Sequence, residues 1–131
     1  MSFAPGITSP SEWTQPEPSA EELDQAMAAW YTLRSQMSAY WVNHDVIICP
    51  VNAFPAGSNG MWDDPEMEGA YSYTQAYNLT GWPAAVMRGG TSPEGLPIAV
   101  QVVAAPGRED LVLAVLLHLE EALGGFRPPP I

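Results

Sequence analysis

Cys49 and His44 lie five residues apart, a spacing that suggests a thiol nucleophile with an imidazole base. That chemistry needs a thiol that can ionise and meet a substrate. Cys49 instead belongs to the apolar run Asp45-Val46-Ile47-Ile48-Cys49-Pro50, where a cysteine behaves as an inert small hydrophobe. His118 sits between Leu117 and Leu119, too far from His44 in the chain to give a metal-ligand spacing. Asp63, Asp64, Glu66 and Glu68 form an acidic cluster, but their spacing is not that of an EF-hand and reads more simply as a solvated loop. The pairs Gly89-Gly90 and Gly124-Gly125 read as turn and helix-stop glycines rather than phosphate cradles. No metal site and no cofactor is expected.

The charge balance narrows the partners. The formal net charge is -11, from 15 acidic and 4 basic residues, and such a field repels phosphate backbones and anionic lipid headgroups. Neither nucleic acid nor a membrane surface is an expected partner. The basic residues are all arginines (Arg34, Arg88, Arg108 and Arg127), so the sequence contains no lysine. With 131 residues and 47% hydrophobic content, one modest core is expected. A single cysteine excludes an internal disulfide framework, and no signal-peptide pattern or bilayer-length apolar run is evident. A soluble cytoplasmic protein is the expectation.

The elements that would position any site follow from periodicity. Residues 1–18 form an arm rich in proline and serine, and the domain proper is expected over 19–131. Ser19 and Glu22 make a capping-box pattern ahead of a helix from about 20 to 41, with Leu23, Met27, Trp30, Met37 and Trp41 at helical spacing. The run 45–50 suits a strand buried on both faces, as in a parallel or mixed sheet. Residues 70–79 suit a short helix ending near Gly81. Pro83 to Arg88 and Leu96 to Ala104 suit a hairpin of strands around a turn at 89–95. The last helix spans 108–123, with Glu109 and Asp110 in its first turn, where the macrodipole favours them. The fold class expected is α/β, a mixed sheet of few strands flanked by helices.

Four pieces in order carry a resemblance: Asp45 to Pro50, then Asn78-Leu79-Thr80-Gly81-Trp82-Pro83-Ala84, then the turn Thr91 to Gly95 with Leu96-Pro97-Ile98-Ala99-Val100-Gln101, then the helix start Arg108-Glu109-Asp110. Together they resemble the C-terminal region of the amidase-signature family, from about residue 20 onward. The family usually has glycine where this chain has Ala99, and often a proline near Arg88. The resemblance implies amide hydrolysis by a serine nucleophile, a second serine in a cis peptide bond and a lysine. The lysine must be neutral to accept a proton relayed from the nucleophile. Backbone N–H groups of a glycine- and serine-rich stretch would hold the oxyanion. In the family these groups lie upstream of the region matched here. A lysine-free chain has no relay base, and arginine stays protonated.

The resemblance therefore implies no catalytic residue in this sequence, and places the segment 50–80 on the wall of a substrate pocket. Trp62, Tyr71 and Thr74 are the candidates to face substrate, with Tyr71 and its neighbours Tyr73 and Tyr77 equally readable as packing for a short helix. An acidic residue usual near Tyr71 in the glutamyl-tRNA amidotransferase branch is replaced, which implies a less charged substrate. Asn78, Gly81, Pro83 and Gln101 are read as structural: Asn78 bonding a turn, Gly81 allowing close approach. The function expected is that of a C-terminal fragment or subunit of an amidase, inactive alone and acting with the remainder of the amidase domain. The alternative is a non-enzymatic amidase remnant that self-associates or binds a partner. Either way, apolar faces and a sheet edge left bare predict a homo-oligomer or a bound partner.

Overall fold

The computed structural model describes residues 17–57, 72–126 and 128. Three helices and three strands follow in the order α1 (Ala20–Ser38), β1 (Val46–Pro50), α2 (Ser72–Thr80), β2 (Ala84–Thr91), β3 (Pro97–Ala104) and α3 (Glu109–Leu123), with a 3-10 turn over Ala39–Val42 after α1. The expected helices and the hairpin are all present, and α/β is the fold class.

Ser19 starts α1 by the reciprocal cap its sequence promises. The Glu22 N–H donates to Ser19 Oγ at 3.3 Å, and the Ser19 N–H donates to Glu22 Oε2 at 2.8 Å. The apolar stripe of α1 is only partly covered. Trp30, Arg34 and Met37 are half-buried, whereas Leu23 and Met27 remain 53% and 40% exposed.

β3 is the middle strand of a sheet ordered β1-β3-β2. Both of its pairings are antiparallel, so the mixed or parallel sheet expected from the 45–50 run is replaced, among the described residues, by an antiparallel one. The reason is connectivity. A short turn forces β2 and β3 antiparallel, and β1 lies on the far side of β3. As an edge strand β1 is not buried on both faces: Ile48 is 52% exposed and Pro50 is exposed. Pro50 suits that place, since a proline cannot donate to a further strand.

The turn is shorter than expected. β2 continues through Gly89 and Gly90 to Thr91, and the chain reverses over Ser92–Leu96, closed by the Ser92 N–H on Leu96 O at 2.8 Å. Arg88 pairs with Ala99 and Gly90 with Ile98, so Gly89 is the extra residue of a bulge.

Alternation along β3 divides its side chains between two faces. Val102 and Ala104, fully buried, pack with Val112 of α3, and Val115, Leu116 and Leu119 close over them. Each buried valine contributes roughly 1.5–3 kcal/mol. Cys49, Gln101 and Val86 form one row across the three strands on the other face, the side on which α2 lies. α3 ends at Gly124, with the Gly125 N–H donating to Glu120 O at 2.9 Å. Among the described residues no helix is long and apolar enough to cross a membrane.

Candidate functional site

The place where β1 ends, α2 begins and β3 passes between them holds the side chains that the sequence singles out. Gln101, 2% exposed at the centre of the sheet, donates from Nε2 to Pro50 O at 2.8 Å and to Tyr73 O at 3.0 Å. One helical turn further, Tyr77 OH meets Cys49 Sγ at 3.4 Å. Burial, and then the hydrogen bond and the Coulombic effect of Cys49, push the Tyr77 phenol up to about 12. The thiol and the phenol thus form a further polar contact between β1 and α2, beside the bonds of Gln101.

The Cys49–His44 pairing is not formed. His44 Nδ1 lies 3.0 Å from Tyr40 O, and its ring stacks on Tyr40 with centroids 4.0 Å apart. A carbonyl only accepts, so Nδ1 carries the proton there. His44 is committed to the end of α1 and Cys49 to α2. His118 is exposed on α3. Among the described residues no group of three or more His, Cys, Asp or Glu could hold a metal ion.

Of the pocket candidates, Thr74 lies half-buried in the first turn of α2, next to the carbonyl that Gln101 holds. Trp62 and Tyr71 lie outside the described residues, as do Asp63, Asp64, Glu66 and Glu68. Tyr73 is 41% exposed, while Tyr77 packs against Trp82 with ring centroids 6.2 Å apart.

The turn after α2 is built from different residues than its asparagine suggests. Asn78 is exposed, and among the described residues no hydrogen bond of its side chain is found. Thr80, fully buried, closes the helix instead, donating to Ala76 O at 2.9 Å. Gly81 takes φ +68°, the left-handed conformation that ends a helix, and its N–H donates to Tyr77 O at 2.9 Å. Pro83 precedes β2, and its carbonyl accepts from the Ala104 N–H at 3.1 Å.

Aromatic packing fixes α1 and α2 against this turn. The Trp30 indole N–H donates to Leu79 O, the Arg34 guanidinium lies 4.8 Å from the centre of the Trp30 ring, and Trp41 meets Trp82 edge-on at 4.7 Å. Composition reveals these tryptophans, but no local pattern tells which ring meets which.

Two hollows flank the site. One of about 390 Å³ lies between the chain after β1 and the start of β3, with Asn52, Phe54, Pro97 and Ile98 on its walls. A second, of about 320 Å³, is walled by Met37, Tyr40, Tyr77 and Trp82. On the other face of the molecule, a groove of about 620 Å³ runs between β2 and α3, bordered by Leu113, Leu117 and Phe126, which are 58%, 62% and 80% exposed. The described side chains can hold apolar groups and position backbone.

Comparison with known proteins adds a family. A protein-family model described as Amidase matches residues 10–113, beginning inside the segment read from sequence as an arm. The chain is similar to fatty-acid amide hydrolase 2-A of Danio rerio, with 46% identity over 59 residues, 45% of this chain and 11% of that protein. It is similar to a glutamyl-tRNA(Gln) amidotransferase subunit from Methylocella silvestris, at 33% over 95 residues, 70% of this chain and 19% of that one. A solved structure of 6-aminohexanoate cyclic dimer hydrolase superposes with a TM-score of 0.73 at 26% identity, covering 80% of this chain and 25% of that one. The chain thus spans a quarter or less of each of these relatives.

Proposed function

Because the chain belongs to the amidase family, whose model matches residues 10–113, we propose that it forms the C-terminal part of an amidase, a hydrolase of amide C–N bonds. In this reading the 131 residues supply a wall of the substrate pocket, and the catalytic serines and lysine belong to the portion that they lack. The observation that carries the reading is the family match together with a sequence free of lysine. Proton relay from a serine needs a base that is neutral at working pH, and arginine does not supply one. The partner is then the remainder of an amidase domain. Tyr71 in place of an acidic residue favours a substrate of low charge. We also propose a cytoplasmic location: Cys49 is a free thiol, which suits a reducing compartment.

The test is reconstitution. The purified chain is assayed against a simple aryl amide, alone and mixed with a 6-aminohexanoate-cyclic-dimer hydrolase truncated before its matching region. No turnover alone and turnover on mixing are expected. Amide cleavage by the chain alone overturns the reading.

A second reading, a non-enzymatic remnant that self-associates, is favoured by one feature. α3 is apolar well beyond the stripe it buries on the sheet, as a helix is when another layer covers it. Under this reading Leu117→Glu converts an oligomer to a monomer in light scattering, and reconstitution yields no activity. A wild-type chain that is already monomeric removes it.

A further inference from the structure

Gln101 is the buried polar residue with the most exacting pair of bonds. Its amide nitrogen carries two hydrogens, and both are placed on main-chain carbonyls. One carbonyl belongs to the last residue of β1, the other to the second residue of α2. These residues stand at the end of β1 and in the first turn of α2, the next described element of regular structure. A side chain that bonds backbone on both sides fixes a distance whatever side chains the connection carries. The neighbouring Cys49–Tyr77 contact joins the same two elements, but through sulfur, a weak hydrogen-bonding partner. We propose that Gln101 is a positioning residue: it holds the first turn of α2, with Thr74, against the end of β1, and so sets the shape of the pocket wall. The inference rests on the function proposed above for its meaning, but not for its test.

A residue that merely fills the core is replaced by one of equal length. A residue that clamps is replaced only by another donor. Hydrogen exchange by mass spectrometry, corrected for intrinsic rates, separates these on the intact chain. Gln101→Met keeps the length and removes both donors. Residues 51–57 and 73–77 are expected to exchange on the order of tenfold faster, whereas 102–104 and 112–119 change by less than about threefold.

Gln101→Glu adds a pH signature within one molecule. A protonated carboxyl still donates one bond. A carboxylate donates none and faces two carbonyl oxygens, and burial raises its pKa. Protection of the two segments should therefore lie between wild type and Gln101→Met at pH 5 and fall below that of Gln101→Met at pH 8, reversibly. Unchanged exchange in Gln101→Met, loosening spread evenly over the chain, or a Gln101→Glu variant indifferent to pH would each overturn the proposal. Because the readout needs no turnover, a failed reconstitution leaves this result standing, and the reverse also holds.

Discussion

Gly89 offers a test of the sheet's close packing in which steric clash, not backbone conformation, decides the sign. Its φ lies outside the left-handed region, so alanine is conformationally permitted there. The added Cβ would lie 2.9 Å from Val100 Cγ1 and 3.3 Å from Cγ2. Carbon atoms prefer about 3.5–4.0 Å, so Val100 must leave its rotamer or the strands must part. Overpacking of this kind costs about 1–3 kcal/mol. Against it stands the lower unfolded-state entropy of alanine, about 0.4–1 kcal/mol. The net expectation for Gly89→Ala is a loss of about 1 kcal/mol. Val100→Ala removes both γ carbons and with them the clash. In that background Gly89→Ala should become mildly stabilising, giving a coupling of about 1.5–2.5 kcal/mol across a double-mutant cycle. Urea denaturation followed by tryptophan fluorescence measures all four species. Equal losses from Gly89→Ala in both backgrounds would refute the account, and with it the placement of Gly89 as a bulge residue over Val100.

Other expectations follow from the same contacts. Tyr77 should ionise near pH 12 in a titration of tyrosinate absorbance, and Cys49→Ala should bring it down by removing the hydrogen bond and the Coulombic effect of Cys49. Since its folded pKa is raised above that of the unfolded chain, the stability it contributes is full below about pH 10 and is lost as pH rises through the folded value. Solvent screening of the partly exposed ring limits that contribution to about 1 kcal/mol. Ser19→Ala should cost about 1 kcal/mol and lower the helical signal of α1 in circular dichroism. The N–H and hydroxyl of Ser19 hold the Glu22 carboxyl below the usual carboxylate range. The cap should therefore be intact above the unfolded pKa and loosen as pH falls through the folded one, a dependence that Glu22→Gln removes. Gly81→Ala should cost about 1–2 kcal/mol through its left-handed backbone, and a variant as stable as wild type would contradict that conformation.

What can be read from the chain, and what cannot, divides along sequence separation. The partners of the α1 cap lie three residues apart, and Ser19 and Glu22 alone make it legible. The hairpin is legible from two apolar runs around Ser92-Pro93-Glu94-Gly95. Its turn reads too wide because a glycine pair within a bulged strand looks like a glycine pair in a loop. β1 reads as doubly buried for a related reason: an apolar run records that a strand meets something apolar, not which of its edges is paired. The candidate site is half legible. Gln101 and Gly81 stand out through the family resemblance. The bonds that give Gln101 its place span 51 and 28 residues, and no local pattern encodes such partners.

The same distinction explains why the surface left bare is informative. A helix cap or a turn is satisfied by its neighbours in sequence, so it forms in an isolated segment as well as in a whole domain. An apolar side chain is satisfied only by area brought to it from elsewhere. In this chain the local devices are complete, at Ser19, Thr80 and Gly124, while Leu23, Leu113, Leu117 and Phe126 remain about half or more exposed. Under the function proposed above, local order without full burial is what one part of a larger domain shows. Restoring that surface should therefore raise the stability of the chain without adding a single intrachain hydrogen bond. A rise in the urea midpoint on mixing with the truncated relative, unaccompanied by new helical signal, is the result that this argument requires.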